Sequence, residues 1–307
     1  MAIRNLQRWE QEEMKPRNLA AIDIGSNAIR LVLALKSKDR IQILKKYRVA
    51  LRLGQDVFQT GVISAATSQH LSETFREFQK ILEQHKIQKV RAVATSALRE
   101  AQNQKQILRQ IHKDSGIHVE LINGIEEARL VFLAVKKRIH LERHHALLMD
   151  IGGGSVEISV SHQAHLVATK SFPYGTVRTL QRLQKQSPKN YYKEFQNQVE
   201  DFLKVHPHRF DFLVGTGGNL DTFARLKKML LKNKNPAHIS IQELRLLQKK
   251  LDLMSYDERI SKLKLRPDRA DVIVPAIHLT LTLMKAFQIQ SLLLPQVGLK
   301  EGILLTL

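Results

Sequence analysis

The sequence has no cysteine among its 307 residues, and aromatic residues make up only 6% of it. The first absence excludes disulfide bonds, thiolate nucleophiles and cysteine-ligated metal sites. The longest uncharged apolar run, between Asp271 and Lys285, contains Pro275 and is shorter than the roughly 20 residues that a membrane-spanning helix needs. Residues 1–18 alternate charges and lack the apolar core of a secretory signal. We therefore expect a cytoplasmic protein that is not associated with a membrane.

Acidic residues are few compared with basic ones. The chain has 49 lysines and arginines against 29 aspartates and glutamates, a net charge of +20. The electric field of such a charge attracts polyanions and speeds their encounter with the protein. A basic surface that is simply solvated is an equally simple interpretation of the charge. Nucleic acid stays open as a partner, but no zinc finger, basic zipper or aromatic ribonucleoprotein motif is present. The 13 histidines form no HExxH motif, which argues against a histidine metal site.

The length predicts about two domains, and the apolar segments fall into two similar sets. The first set predicts strands at 19–25, 29–35, 41–44, 90–96 and 117–122, with helices at 64–85 and 99–113. The second set predicts strands at 146–152, 156–160, 164–169 and 210–215. Because each set opens with three successive strands, we expect a duplicated α/β domain, with one copy at 17–138 and the other at 139–307.

The first strand of each set ends in an acid followed by glycine. "AAIDIGSN" (20–27) contains Asp23, and "LLMDIGGGS" (147–155) contains Asp150 in the same position. A third glycine turn, "VGTGGN" (214–219), also follows a predicted strand and precedes a helical segment. Three such turns could converge on one cleft.

Glycine turns bind phosphate because backbone N–H groups can approach an anion closely where no Cβ intervenes. The acids cannot bind phosphate directly, but Asp23 and Asp150 could hold Mg²⁺, which takes one or two carboxylates plus phosphate oxygens. Other phosphate motifs fail: there is no P-loop, and Glu157 stands where a dinucleotide fingerprint requires glycine. Ser155 is not in a nucleophile elbow. A plain hairpin turn remains the alternative for "DIGGGS" taken alone.

Two adjacent glutamates lie in "LINGIEEARLVFLAV" (121–135). Asn123 is expected to cap a helix, with Glu126 completing a capping box. An apolar face is predicted for this helix, formed by Ile125, Ala128, Val131, Phe132 and Val135. Glu127 points away from that face, and the spacing alone favours a solvated acid in the first turn.

In combination, these segments resemble the exopolyphosphatase and guanosine pentaphosphate phosphohydrolase (Ppx/GppA) family. The matching stretches span residues 19–307 in the family's order. They are "AAIDIGSNAIRLVL", "LRLGQDVFQTGVIS", "ATSALREAQN", "INGIEEARLVF", "DIGGGSVE", "GTGGNLDTFA", "RADVIVPA" and "VGLKEGIL". The resemblance implies two ribonuclease H-like domains of the actin and hexokinase type, with a cleft between them and a last helix (about 298–307) that packs back on the first domain.

The resemblance also implies Mg²⁺-dependent removal of the terminal phosphoryl group from polyphosphate or guanosine pentaphosphate. Glu127 is then the general base, Arg99 stabilises charge, and Asp23, Asp150 and Glu157 hold the metal. The implied phosphate-binding residues are Gly25, Ser26, Asn27, Gly152, Gly153, Gly154, Ser155, Gly215, Gly217, Gly218 and Asn219. These anions are favoured as partners over nucleic acid, and homodimerisation would lengthen a basic track for them.

The sequence departs from the family at three places. Val156 replaces the family's usual threonine, "FPYGTVRT" (172–179) is a partial match, and the sequence stops soon after "GLKEGIL", without the helical modules that give longer members more binding surface. Two alternatives therefore stay open: a non-catalytic protein that binds polyphosphate or the alarmone, and an ATP-dependent kinase with the same fold.

Overall fold

The computed structural model describes residues 16–38, 40–206, 209–232, 235 and 237–307. Residues 1–15, which include most of the segment that argued against a secretory signal, lie outside this range. The strands are β1 (Arg17–Ile24), β2 (Ile29–Ser37), β3 (Arg40–Val49), β4 (Lys89–Ala94), β5 (Val119–Leu121), β6 (His145–Ile151), β7 (Val156–His162), β8 (His165–Phe172), β9 (Phe212–Thr216), β10 (His238–Ser240) and β11 (Ser291–Leu293).

Helices surround these strands. They are α1 (Leu53–Thr60), α2 (Ala65–Gln84), α3 (Ser96–Glu100), α4 (Gln104–Ser115), α5 (Gly124–Lys136), α6 (Thr176–Arg182), α7 (Pro188–Leu203), α8 (Gly218–Leu231), α9 (Ile241–Asp252), α10 (Tyr256–Ser261), α11 (Pro267–Ala270), α12 (Ile273–Ala286) and α13 (Leu299–Leu305). Among the described residues, none of these helices is both long and apolar enough to cross a bilayer.

The strands form two sheets with the same plan. The first has the order β3-β2-β1-β4-β5, in which β1 to β3 form an antiparallel meander and β4 and β5 run parallel to β1. The second has the order β10-β11-β9-β6-β7-β8, with β6 to β8 as the meander and β9 and β11 parallel to β6. This repeated order confirms the predicted fold class, a duplicated ribonuclease H-like α/β fold, while the boundary between 138 and 139 stays a prediction.

Both faces of β1 are buried, which explains its continuous apolar run. Ala20, Ile22 and Ile24 pack into a core with α2 and α4. Leu19 and Ala21 point to the other face and join a second core. This second core also takes in residues of β6, α5 and α13, so α5 and α13 lie between the two sheets.

Side chains alternate between the faces of a strand, and this alternation decides where the charged residues point. Asp23 shares the inner face of β1 with Leu19 and Ala21. On β6, Leu147, Met149 and Ile151 pack against the outer helices, so Asp150 also lies on the inner face. The two predicted acids are thus directed toward the space between the sheets.

Two predicted details of the helices are wrong. The helix predicted at 99–113 is instead two helices, α3 and α4, because residues 101–103 interrupt it. Ile125, predicted on the apolar face of α5, is 62% exposed, whereas Ala128, Val131, Phe132 and Val135 are buried. Ile125 is the second residue of α5 and precedes Glu127, the first buried residue of the helix.

Candidate active site

A cleft with a cavity of about 100 Å³ opens between the two sheets. Asp23, residues 25–28 and Arg30 line it from the first sheet, and residues 150–153 and Ser155 line it from the second. The third glycine turn contributes Gly217 and Gly218. The three turns that the sequence singled out therefore meet at one place.

The first two turns have the same backbone hydrogen bond. Gly25 N donates to Ala28 O at 3.1 Å, and Gly152 N donates to Ser155 O at 3.0 Å. The turns also touch each other, since a Cβ on Gly153 would lie 3.0 Å from the Ser26 Cβ. The close approach requires glycine here, and it holds the two sets of backbone N–H groups on facing sides of the cleft.

Gly217 begins the third turn with a φ of +95°, a conformation that favours glycine. A Cβ at this position would also lie 2.6 Å from the carbonyl oxygen of Ile151. The turn can therefore pack directly against the end of β6, next to Asp150.

Three carboxylates converge beside these turns. Single oxygens of Glu127, Asp150 and Glu157 all lie within 4.8 Å of one another. Glu127 comes from the first turn of α5, where the Asn123 side chain accepts a hydrogen bond from Glu126 N at 2.9 Å and caps the helix. Asp150 and Glu157 are opposite each other on β6 and β7.

Few hydrogen-bond donors contact this cluster of carboxylates. Thr216 Oγ1 donates to Asp150 Oδ1 at 2.6 Å, and Ser171 Oγ donates to Glu157 Oε1 at 2.7 Å. Two other oxygens of the cluster, Glu127 Oε2 and Glu157 Oε2, are buried and have no hydrogen-bond partner. Because a buried, unpaired carboxylate is costly, the arrangement calls for a cation or a proton.

Burial, with repulsion from nearby carboxylates, raises the pKa of each of these acids. Desolvation, with a smaller contribution from the charge of Asp150, raises the pKa of Glu157 to about 7. Desolvation, with smaller contributions from Asp23 and Asp221, raises the pKa of Asp150 to about 6. Desolvation followed by the charges of Glu157 and Asp150 raises the pKa of Glu127 well above its usual value. The cluster is therefore predisposed to hold a proton near neutral pH when no cation is bound.

The donor set fits Mg²⁺, which prefers oxygen ligands and takes one or two carboxylates from the protein. Asp150 and Glu157 could hold the ion, which leaves Glu127 free of direct ligation. Glu157 is 2% exposed and lies behind the cleft surface, while Asp150 lines the cleft.

Asp23, the third predicted metal ligand, is not part of this cluster. Its carboxylate accepts a hydrogen bond from Arg30 Nη1 at 2.8 Å, and the two residues are opposite each other on β1 and β2. A protein cation therefore already neutralises Asp23, although it still lines the cleft.

Arg99, predicted to stabilise the phosphoryl group, does not line the cleft. Its Nη1 donates to the carbonyl oxygen of Ile122 at 2.6 Å. Its charge nevertheless lowers the pKa of Glu127 and Glu157, against the larger effect of burial. Arg99 therefore acts on the charge of these carboxylates without being part of the cleft lining.

The predicted phosphate-binding residues divide into two groups. Those that line the cleft are Gly25, Ser26, Asn27, Gly152, Gly153, Ser155, Gly217 and Gly218. Gly215 instead lies within β9 among leucine side chains, and Gly154 is packed against Ser96. Asn219 is buried, with Nδ2 donating to Thr176 Oγ1 at 3.2 Å and Oδ1 accepting from Arg269 Nη1 at 2.7 Å. These last three support the cleft rather than face it.

Other residues that line the cleft were not predicted. They are Ala28, Arg30, Thr95, Ser96, Ile151, Thr176, Asp221, Arg269, Val297, Gly298, Leu299 and Lys300. Several lie in segments that carried the family resemblance, "RADVIVPA" and "VGLKEGIL", but no local pattern in those segments marks a site. Only the folded chain brings Arg269 next to Gly218, 51 residues earlier in the sequence.

Comparison with known proteins gives consistent results. A sequence model of the Ppx/GppA phosphatase family matches residues 31–307. A putative exopolyphosphatase of Haemophilus influenzae is 26% identical over 300 residues, which cover 95% of this chain and 91% of that protein. Exopolyphosphatase 1 of Mycobacterium tuberculosis is 25% identical over 301 residues, which cover 94% of this chain and 87% of that protein.

Solved structures match over the same extent. An exopolyphosphatase from Cytophaga hutchinsonii has a TM-score of 0.87 and 28% identity, covering 94% of this chain and 97% of that one. The Aquifex aeolicus member of the Ppx/GppA family has a TM-score of 0.79 and 26% identity, covering 95% of this chain and 97% of that one. The fold of this chain is therefore also found in solved structures of related proteins.

Proposed function

Since the chain belongs to the Ppx/GppA phosphatase family, we propose that it hydrolyses the terminal phosphoanhydride bond of inorganic polyphosphate. The proposal draws on the relatives named as exopolyphosphatases in Haemophilus influenzae and Mycobacterium tuberculosis. The observation that carries it is the meeting of three neighbouring carboxylates, two of them buried, with facing glycine turns in one cleft. The turns supply donors for a phosphoryl group, and the carboxylates supply a base and metal ligands.

Glu127 is the proposed general base. Its Oε2 is buried and unpaired, and it lines the cleft. A raised pKa makes its carboxylate a stronger base than an exposed glutamate, so it can accept the proton of an attacking water. The water oxygen then bonds to the terminal phosphorus as the bridging P–O bond breaks, and the shortened chain leaves with the electron pair.

The rest of the cleft positions the phosphoryl group and balances its charge. Backbone N–H groups of the turns at residues 26–28, 153 and 155, together with Arg30 and Arg269, would face its oxygens from two sides. Asp150 and Glu157 would hold Mg²⁺, which would neutralise charge on the phosphate oxygens. Positioning and charge neutralisation are the main requirements of phosphoryl transfer, so these groups suffice for the reaction.

Guanosine pentaphosphate is a second candidate substrate, because it has a terminal phosphoanhydride as well. Beyond the turns, the cleft is lined by Asp221, Val297, Leu299 and Lys300. The apolar side chains suit contact with a nucleoside, while Lys300 suits a further phosphate. The proposal therefore includes both substrates, and activity assays decide between them.

The test is release of inorganic phosphate from medium-chain polyphosphate and, separately, from guanosine pentaphosphate, with and without Mg²⁺. We expect Mg²⁺-dependent release, which Glu127→Gln or Glu127→Ala lowers by about 10²- to 10⁴-fold because the base is lost. Binding of polyphosphate should persist in Glu127→Gln, which keeps the shape of the side chain.

Glu126→Gln is the matched control for this test. Glu126 is adjacent to Glu127 but pairs with Arg129 on the surface, with Arg129 Nε 2.6 Å from its Oε2. We expect near wild-type release from this variant. Full activity of Glu127→Gln would contradict the assigned base. Binding without release in the wild type would favour a polyanion-binding protein, and ADP formation from ATP with an acceptor would favour a kinase.

A further inference from the structure

A row of charged side chains crosses the first sheet beside the cleft. Asp23 is opposite Arg30 on β1 and β2, and Arg30 is opposite Arg48 on β2 and β3. Residues opposite each other on neighbouring strands point to the same face. Because β3 is the edge strand, the row leads from the cleft toward the outside of the sheet.

Two arginines opposite each other repel, and the second half of the chain adds two more. Arg269 Nη2 and Arg30 Nη2 both lie near the Cα of Gly218, within 2.4 and 3.5 Å of the position that a Cβ would occupy there. The second of these added arginines is Arg266, whose Nε lies 3.7 Å from Asp268 Oδ1. We call Arg269, Arg30, Arg48 and Arg266 the arginine track.

One aspartate occupies the middle of the arginine track. The Asp268 carboxylate accepts a hydrogen bond from Arg48 Nη2, and its backbone carbonyl accepts one from Asn27 Nδ2 at 2.9 Å. With Asp23, it provides two negative charges against four guanidinium groups. The track therefore keeps a net positive charge even with both internal partners in place.

Two donors on the track have no partner. Arg48 Nε and Arg269 Nε are buried and make no hydrogen bond, and Arg269 is only 6% exposed. Burial and the neighbouring arginines lower the pKa of Arg269 to about 9. Buried guanidinium donors without acceptors are costly, and an anion with several oxygens would satisfy them.

Exposure is lowest at Arg269 and highest at Arg266, the two ends of the track. The side chains of Arg48 and Arg30 are 17% and 23% exposed, whereas that of Arg266 is 58% exposed. The track thus begins in a cleft of about 100 Å³ and ends in solvent. A linear polyanion that extends beyond the cleft would meet Arg48 first and then Arg266.

We propose that Arg48 and Arg266 bind the phosphates of a polyphosphate chain that lie beyond those held in the cleft. Asp268 is the internal competitor that the chain displaces from Arg48. The inference rests on the proposed function for the identity of the polyanion. It predicts that the protein prefers polyphosphate chains longer than the cleft can hold. Arg48 and Arg266, which do not line the cleft, would provide this preference.

The test compares medium-chain polyphosphate with tripolyphosphate. Binding is measured by titration calorimetry in EDTA at fixed ionic strength, and KM and kcat are measured by phosphate release with Mg²⁺. Arg48→Ala is expected to weaken binding of the longer chain about tenfold, because it removes charged hydrogen bonds. Arg266→Ala is expected to weaken it about threefold, because that side chain is more exposed. The loss should appear in KM for the longer chain rather than in kcat.

Arg76→Ala is the matched control, since Arg76 is 48% exposed and its Nη1 lies 3.5 Å from Asp114 Oδ2 in an ion pair like that of Arg266. It removes the same charge at a distance from the track. Asp268→Asn should act in the opposite direction and strengthen binding of the longer chain about threefold. Arg266→Ala covers the case in which Arg48→Ala does not fold.

The inference is overturned if Arg266→Ala behaves as Arg76→Ala does, or if the track variants affect tripolyphosphate and the longer chain equally. Weaker binding by Asp268→Asn would overturn the role of Asp268 as competitor. If the track variants weaken binding but the wild type releases no phosphate, the proposed hydrolase activity is wrong and the role of the arginine track in binding is retained. Release with identical KM values in all variants would overturn the track alone.

Discussion

At the scale of single residues, one pairing sets the charge of each half of the site. In each of the two equivalent hairpins, this is the pairing between the aspartate and the residue opposite it on the next strand. Asp23 faces Arg30, whereas Asp150 faces Glu157 at the equivalent place. The pair on the first hairpin is neutral by itself, while the pair on the second is doubly acidic and needs a cation from outside. This difference explains why the candidate metal site is formed by the second hairpin and Glu127, without Asp23.

Glu157 leads to a prediction about pH and stability in the metal-free protein. Burial raises its pKa from 4.5 to about 7, so between these values the folded protein keeps a proton that the unfolded chain has released. Its contribution to the free energy of unfolding is therefore full below pH 4.5 and is lost as the pH rises through 7. In EDTA, Glu157→Gln should reduce the loss of stability between pH 5 and pH 8 by on the order of 2 kcal/mol.

Thermal melts of both proteins at several pH values check this prediction. Glu120→Gln serves as a control, because Glu120 is exposed and paired with Arg91 on the surface. Mg²⁺ should raise the melting temperature of the wild type more at pH 8 than at pH 5, because the ion competes with protons. Equal pH slopes for wild type and Glu157→Gln would speak against the prediction.

Local patterns in the sequence indicated some of the site residues and missed others. The Asp-Ile-Gly turns were identified because an acid and glycines followed apolar strands, and alternation within those strands directs Asp23 and Asp150 to the inner faces. Glu127 was different, since spacing favoured a solvated acid and only the family resemblance pointed to a base. Its burial comes from the opposite sheet, which no pattern within α5 could predict.

At the scale of elements, α5 and α13 form the layer that carries Glu127. Gly302 of α13 lies so close to α5 that a Cβ would be 2.0 Å from the carbonyl oxygen of Leu130. The two helices are therefore in backbone-to-backbone contact, and this contact fixes the position of α5 between the sheets. Residues of both helices belong to the core cluster that includes Leu19 and Ala146.

Gly302→Ala should separate the two helices and lower the free energy of unfolding by about 1–3 kcal/mol through overpacking. Phosphate release should fall as well, because α5 carries the proposed base. Urea denaturation and the release assay measure the two effects. Gly298→Ala is the control for stability, since a Cβ there would meet no atom within 4 Å. An unchanged urea midpoint for Gly302→Ala would refute the close contact.

Whether a segment forms a helix or a strand could be predicted from the sequence where its apolar run is long. The two three-stranded meanders were predicted correctly because each strand is bounded by turn-forming residues. The interruption at 101–103 was missed, since the helical spacing of 99–113 continues across it. Short elements such as β10 and α11 lack enough residues to show a period, and their pairing depends on distant partners.

At the scale of the whole molecule, the charge of +20 should act on the rate of encounter. We expect kcat/KM for polyphosphate to fall at least several-fold between about 0.05 M and about 0.5 M NaCl at constant Mg²⁺, because salt screens long-range attraction. Steady-state kinetics at several salt concentrations test this, with kcat at saturating substrate as the internal control. A flat salt profile would mean that the charge plays no part in substrate capture. A cytoplasmic location and dimerisation stay predictions at this scale.

The contact between Leu130 and Gly302 also has a consequence for the order in which the protein is made. It joins segments that leave the ribosome far apart in time, and such non-local contacts form late in folding. A nascent chain can complete its first sheet and present Asp23 and Arg30 before α13 exists. The helix that carries Glu127 then lacks one side of its packing, and residues 297–300 are missing from the cleft. Assembly of the candidate active site therefore waits until α13 has been made and has packed against α5.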